Sequence, residues 1–231
     1  MSARWARLTL AATGVAGTAL FFLVALTPYL PIYGDPLDGW NLWAPAHQAG
    51  ARHGVALLFL AYLLYMFFAI YVAIVVKKSD TWTPFLVRVA TLAIGVKFTI
   101  EMMLIAVLNI PTELGSQYLN DSMSRLGTEL STLSLVPFAI FLVAVGAAAL
   151  ISRALPTWLA WFTLAVGALH TVAMAIALTG PPPLSPILID VGYVWFTSIP
   201  GWPLVTSVTL IVLAILRSRE APMPTTLAQP A

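Results

Sequence analysis

Lys97 and Glu101 are the two charged residues set deepest in apolar sequence, within the run TPFLVRVATLAIGVKFTIEMMLIAVLN. A spacing of four places them on one face of a helix, the separation at which a lysine and a carboxylate pair. The run is long enough to cross a hydrocarbon core of about 30 Å, and both charges fall near its midpoint or somewhat outward of it. A charge at that depth must face protein, water or its partner. Three kinds of chemistry fit the pair: a self-neutralising lock on a neighbouring helix, a titratable or ion-attracting site on a cavity, and a docking surface for another membrane protein. His170 and Tyr62 fall at a similar level in other apolar runs, so Tyr62, Lys97, Glu101 and His170 could form one polar layer. For His170 the plain alternative is packing plus one hydrogen bond, and the functional one a proton relay or ligand contact.

A second set of candidates gathers in the loops on the outward side. His47, His53, Asp35, Asp38, Asp190 and Trp202 are read as residues of an outer mouth. His47 and His53 are six apart and do not share a helical face, and no HExxH pattern occurs, so metal binding is a minor alternative. Haem between two helices would need a histidine pair, and the chain's three histidines are scattered. No cofactor is evident. Cysteine is absent, which removes disulfides, thiolate metal sites and cysteine nucleophiles.

The elements that must position these residues are membrane helices. Hydrophobic residues make up 60% of the chain and charged ones 9%, where a soluble domain carries roughly 25% charged residues. Mean hydropathy is +0.93, and the apolar residues come in long blocks. The net charge of +2 is spread over short loops with no basic cluster, so no nucleic-acid partner is expected. The expected fold is an all-α integral membrane protein, a compact bundle of six transmembrane helices in one domain over residues 1–220. Residues 221–231, rich in Pro and Thr, are expected to be a disordered tail.

The first span is read over residues 8–30, too long for the apolar core of a signal peptide and therefore a retained helix. Gly14 with Thr18, and Thr13 with Gly17, give it small residues at close-packing intervals. Asp35-Pro36 and Asp38-Gly39 then mark turns in a loop that holds His47 and His53. The second span is expected over 54–76, with a short interfacial helix running into it from Ala44-Pro45. Thr83-Pro84 reads as cap and first-turn proline of the third, over 83–109. A polar link carrying Glu113, Asp121, Arg125 and Glu129 leads to the fourth, over 132–151, where Pro137 predicts a kink or a carbonyl needing another partner. Ser152 to Leu155 leave room only for a tight hairpin into the fifth span, 156–179. The last apolar stretch, 191–216, is interrupted by Pro200-Gly201-Trp202-Pro203 and reads as a broken sixth helix, whose break could line a site. Trp40, Trp43, Trp158, Trp161, Trp195 and Trp202 are expected as interface anchors first and as aromatic pocket walls second.

Charge fixes the expected orientation. With both termini cytoplasmic, Arg4, Arg7, Lys77, Lys78, Arg88, Arg153, Arg217 and Arg219 lie inside and only Arg52 and Arg125 outside. The expected location is the cell membrane. The cytoplasmic connections are too short for a soluble domain, so any chemistry belongs in the bundle or at its outer mouth. The leading function is transport-related: moving or coupling to a proton, ion or small solute through the polar layer. The alternatives are an accessory or assembly subunit of a larger membrane complex, a membrane-embedded enzyme or metal- or haem-binding protein using His170 and Glu101, and a sensor. Besides the lipid bilayer, the expected partners are further copies of the chain or other membrane subunits, because so small a chain encloses little path by itself. No motif names a reaction or a substrate.

Overall fold

The computed structural model describes residues 3–26, 48–80, 82–109, 126, 130, 133–179 and 200–216. They form six helices: α1 (Ala3–Leu26), α2 (Gln48–Val75), α3 (Thr83–Asn109), α4 (Leu135–Ser152), α5 (Thr157–Thr179) and α6 (Pro200–Leu216). The first five are each long and apolar enough to cross a membrane, and α6 is a shorter apolar helix. Large apolar side chains also face outward, Leu92 at 71% and Ile74 at 60% exposure among them. Water would not tolerate so much exposed apolar surface, whereas acyl chains match it. The protein is a multi-pass, all-α membrane bundle.

Sequential helices pack as antiparallel neighbours, α1 on α2, α2 on α3, α3 on α4 and α4 on α5. The sixth helix lies against α1, where the Ser207 hydroxyl donates to the Ala11 carbonyl and Thr18 Oγ1 donates to the Pro200 carbonyl at 3.3 Å. Gly14 makes that approach feasible: a Cβ there would sit 2.9 Å from the Phe68 ring and 3.0 Å from Ser207 Cβ. The small-residue spacing of the first helix thus faces inward, onto α2 and α6.

The α4–α5 hairpin is as tight as its sequence requires. Arg153 caps α4 in the left-handed region (φ 56°), and its N–H donates to the Ala149 carbonyl. The two helices then touch backbone to side chain. A Cβ on Gly146 would lie 2.7 Å from Leu164 Cγ and 3.2 Å from the Ala160 carbonyl, and one on Gly167 3.0 Å from Val143. Gly146→Ala is expected to cost about 1–3 kcal/mol by overpacking. Gly95→Ala on α3, whose Cβ would meet nothing within 4 Å, is expected to raise stability by up to about 1 kcal/mol. Thermal unfolding of the two variants in one detergent checks the contrast.

The start of α3 differs from expectation by one step of capping. Thr83 is already helical, and the cap is supplied by Asp80, whose Oδ1 accepts from the backbone N–H groups of Trp82 (2.9 Å) and Thr83 (2.6 Å). The Thr83 hydroxyl lies 2.9 Å from Asp80 Oδ2 and 2.8 Å from the Lys78 carbonyl, and accepts from the Lys78 N–H at 3.0 Å. The Thr83 N–H bond, ahead of the Thr83 hydroxyl, the Trp82 N–H and the nearby Lys78 charge, holds the Asp80 carboxyl below its usual range. A lowered folded-state value means that the clamp contributes fully above the unfolded carboxyl pKa of about 3.9 and is lost as pH falls through the lowered value. Protection of the Trp82 and Thr83 amides from hydrogen exchange should follow that course, and Asp80→Ala should abolish the protection at every pH.

Three other boundaries move. Helix α2 begins at Gln48 rather than at residue 54, so His53 sits on a helix and not in a loop. Helix α4 begins at Leu135, with Pro137 in its first turn, and the interruption expected from Pro137 falls at Ser134, between helical Leu133 and Leu135. The missing proline N–H cannot bond the Leu133 carbonyl, and the chain makes a turn at Ser134, whose own N–H bonds Leu130. The Pro200-Gly201-Trp202-Pro203 stretch is itself helical. The half of the expected broken span that precedes it, residues 191–199, lies outside the described residues, as does the expected tail.

One end of the bundle gathers the exposed tryptophans Trp5, Trp82, Trp158 and Trp161 with Arg7, Lys77, Lys78, Arg88 and Arg153, all near helix ends. Indole rings beside cations suit a headgroup region. Lys97 and Glu101 lie about 21 and about 27 Å along α3 from its start at this end.

Candidate functional site

Lys97 Nζ donates to Glu101 Oε1 at 2.6 Å, with 8% and 4% of the two side chains exposed. The i,i+4 spacing on α3 makes that bond local, and its surroundings come from three other elements. Ser134, at the turn ahead of Pro137, places its Oγ 3.4 Å from Lys97 Nζ. The ammonium also lies 5.2 Å from the centroid of the Phe138 ring (α4) and 5.8 Å from that of Tyr62 (α2). Two aromatic faces and a carboxylate thus surround a desolvated cation, an arrangement in which cation–π attraction is strongest.

Beside the pair is a cavity of about 30 Å³, lined by Tyr62, Tyr65, Ile94, Phe98, Glu101 and Pro203 among others. That is room for water on the scale of one to a few molecules. Glu101 is buried at 3% exposure, and its second oxygen, Oε2, has no hydrogen-bond partner among the described residues. An ionised carboxylate oxygen stripped of water and left unbonded is costly, so the atom calls for a proton, a water or a cation. Tyr65 has a different partner from the pair. Its hydroxyl reaches Thr18 Oγ1 at 3.3 Å and ties α2 to α1.

His170 is fully buried and meets this group through an aromatic ring. Its Nδ1 is 2.8 Å from the Val166 carbonyl, which can only accept, so Nδ1 carries the proton. The imidazole stands edge-on to Phe138 at 5.1 Å between centroids, and Phe138 is the ring that also contacts Lys97. Tyr62, Lys97 and Glu101 therefore share one cavity, and His170 joins them across Phe138.

The outer-mouth set fares differently. His47, Asp35, Asp38 and Asp190 lie outside the described residues, and His53 is exposed on α2. Trp202 is not an interface anchor but lines the cavity beside Glu101, as a pocket-wall aromatic would. It is 1% exposed, donates Nε1–H to Thr163 Oγ1 at 3.0 Å, and packs on Phe68, Phe141 and Phe138. The hydroxyl of Thr163 satisfies the indole, so this tryptophan can be buried where others need a headgroup. Among the described residues no three of His, Asp and Glu come together as a metal set.

Ser134 and Phe138 escaped the sequence reading. The available signal was Pro137, whose missing N–H leaves the Leu133 carbonyl without its helical partner and marks the break at Ser134. Compared with protein-family models, curated proteins and solved structures, the chain matches none.

Proposed function

We propose that this multi-span membrane protein is transport-related, moving or coupling to a proton, ion or small solute through the Lys97–Glu101 site. The supporting observation is the Glu101 carboxylate. One oxygen is neutralised by Lys97, and the other is buried beside a cavity with room for water and has no partner among the described residues. A purely structural pair would gain from satisfying both oxygens, because a half-satisfied buried ion pair is less stable than an apolar substitute. Intramembrane charges are also costly enough that function is the first reading for them. The positive end of the bundle is assigned to the cytoplasm, which places the cavity toward the outer leaflet.

The test is vesicle flux with the full chain and its Glu101→Gln variant, which keeps the shape and removes the charge. Flux of a proton, ion or small solute should fall at least about tenfold in the variant while it stays folded and assembled at the assay temperature, its unfolding temperature being lowered because Lys97 loses its counter-charge. Equal flux in both proteins would remove the site from transport. Loss of a co-purifying membrane protein in Glu101→Gln, without any flux in either form, would instead favour the accessory-subunit role.

A further inference from the structure

We infer that the species handled at Glu101 is a proton carried by water, and not a metal cation or an organic solute. The inference rests on the transport reading above and narrows it. Space is the first argument: about 30 Å³ leaves room for a few waters at most and little for an organic solute. Ligand supply is the second. A bound metal cation takes about six oxygen ligands, or keeps its own waters. Here the polar residues lining the cavity are Glu101, Lys97, Tyr62, Tyr65 and Trp202; Glu101 is the only carboxylate among them, the Tyr65 hydroxyl is bonded to Thr18 and the Trp202 N–H to Thr163, and the rest of the wall is apolar.

Charge is the third argument. Lys97 already occupies Glu101 Oε1 at 2.6 Å, so a metal ion on Oε2 would sit beside a fixed ammonium in a medium that screens poorly. A proton avoids that conflict, since it becomes a covalent part of the carboxyl group. In the step proposed, the cavity water passes one of its protons to Glu101 Oε2 as it accepts another from water outside the cavity, so no cation is held beside Lys97 and the products are a neutral carboxyl, a water and the Lys97 ammonium. The reverse transfer restores the ion pair. The ionisable groups facing Glu101 are Lys97 on its own helix and Tyr62 and Tyr65 from α2; His170 of α5 stands across Phe138, and α6 presents Trp202 and Pro203, which do not titrate.

The experiment uses the full chain in vesicles with a trapped pH dye, and parallel vesicles assayed for radioactive sodium and rubidium uptake. The same protein is titrated by infrared difference spectroscopy in detergent. The expected result is acid-driven proton entry at least tenfold above protein-free vesicles, no sodium or rubidium uptake, and an acid-form carboxyl band absent from Glu101→Gln. Ala69→Val is the second variant, because Ala69 lines the cavity and its added methyl groups fill the water's space while leaving both charges in place. It should lose proton entry by tenfold or more. Saturable sodium or rubidium uptake that Glu101→Gln removes would overturn the protonic assignment and keep the transport reading. A Glu101 band without flux of any ion would uphold the protonic site and remove the transport reading. Absence of the band across the titration, or full proton entry in Ala69→Val, overturns the inference.

Discussion

Lys97→Met is expected to lower the unfolding free energy by about 3–5 kcal/mol, the cost of leaving a buried carboxylate without its counter-charge. The loss is large because no described group can take the ammonium's place. Ser134 Oγ lies 3.4 Å from Lys97 Nζ, and the neighbouring Phe138 and Tyr62 faces attract a cation and offer nothing to an anion. Removing both charges together in Lys97→Met/Glu101→Gln should recover most of that loss, because paired removal deletes the desolvation penalty along with the attraction. Reversible unfolding in a mild detergent, read as a double-mutant cycle, measures the coupling. Additive losses in the cycle would mean that the two side chains do not depend on one another, contrary to the 2.6 Å contact.

Trp202→Ala is the second large effect, a loss of about 3–5 kcal/mol as expected for deleting a buried indole from a packed core. Trp202 meets Phe68 at 5.8 Å, Phe141 at 5.4 Å and Phe138 at 6.3 Å between ring centroids, so its removal opens a void shared by α2, α4 and α6. Trp202→Phe separates packing from hydrogen bonding. It keeps most of the ring contact, loses the bond to Thr163 and should cost about 1 kcal/mol beyond the small volume change. Unfolding temperatures of the two variants, with proton entry assayed alongside, also test whether this core supports the cavity wall.

The expectations that held came from strong local constraints. The Lys97–Glu101 contact follows from the helical repeat alone, and the α4–α5 hairpin from a connection too short for any other path. Bilayer crossing follows from apolar length. What escaped the sequence was facing. A membrane helix is apolar on every side, so no stripe reveals which residues point inward. Trp202 was read by its type as an interface residue first, and the Thr163 hydroxyl that allows its burial lies 39 positions away. Ser134 and Phe138 were hidden for the same reason, since their contacts with Lys97 depend on how α4 is turned. His53 falls on a helix because Gln48 to Arg52, where a separate interfacial helix is expected, are continuous with the second span.

The glycine contacts between α4 and α5 have a mechanical consequence at the site. Gly146 and Gly167 bring α4 and α5 backbone to side chain, so Phe138 is placed by that hairpin, while Trp202 packs on Phe68 of α2 and on Phe138 and Phe141 of α4 and ties the hairpin to the rest of the bundle. Both partners of the ion pair lie on α3 one helical turn apart, so their contact is fixed within a single helix. The Lys97–Ser134 and Lys97–Phe138 contacts instead depend on how α3 and α4 are docked, and a substitution that shifts that docking should alter them first.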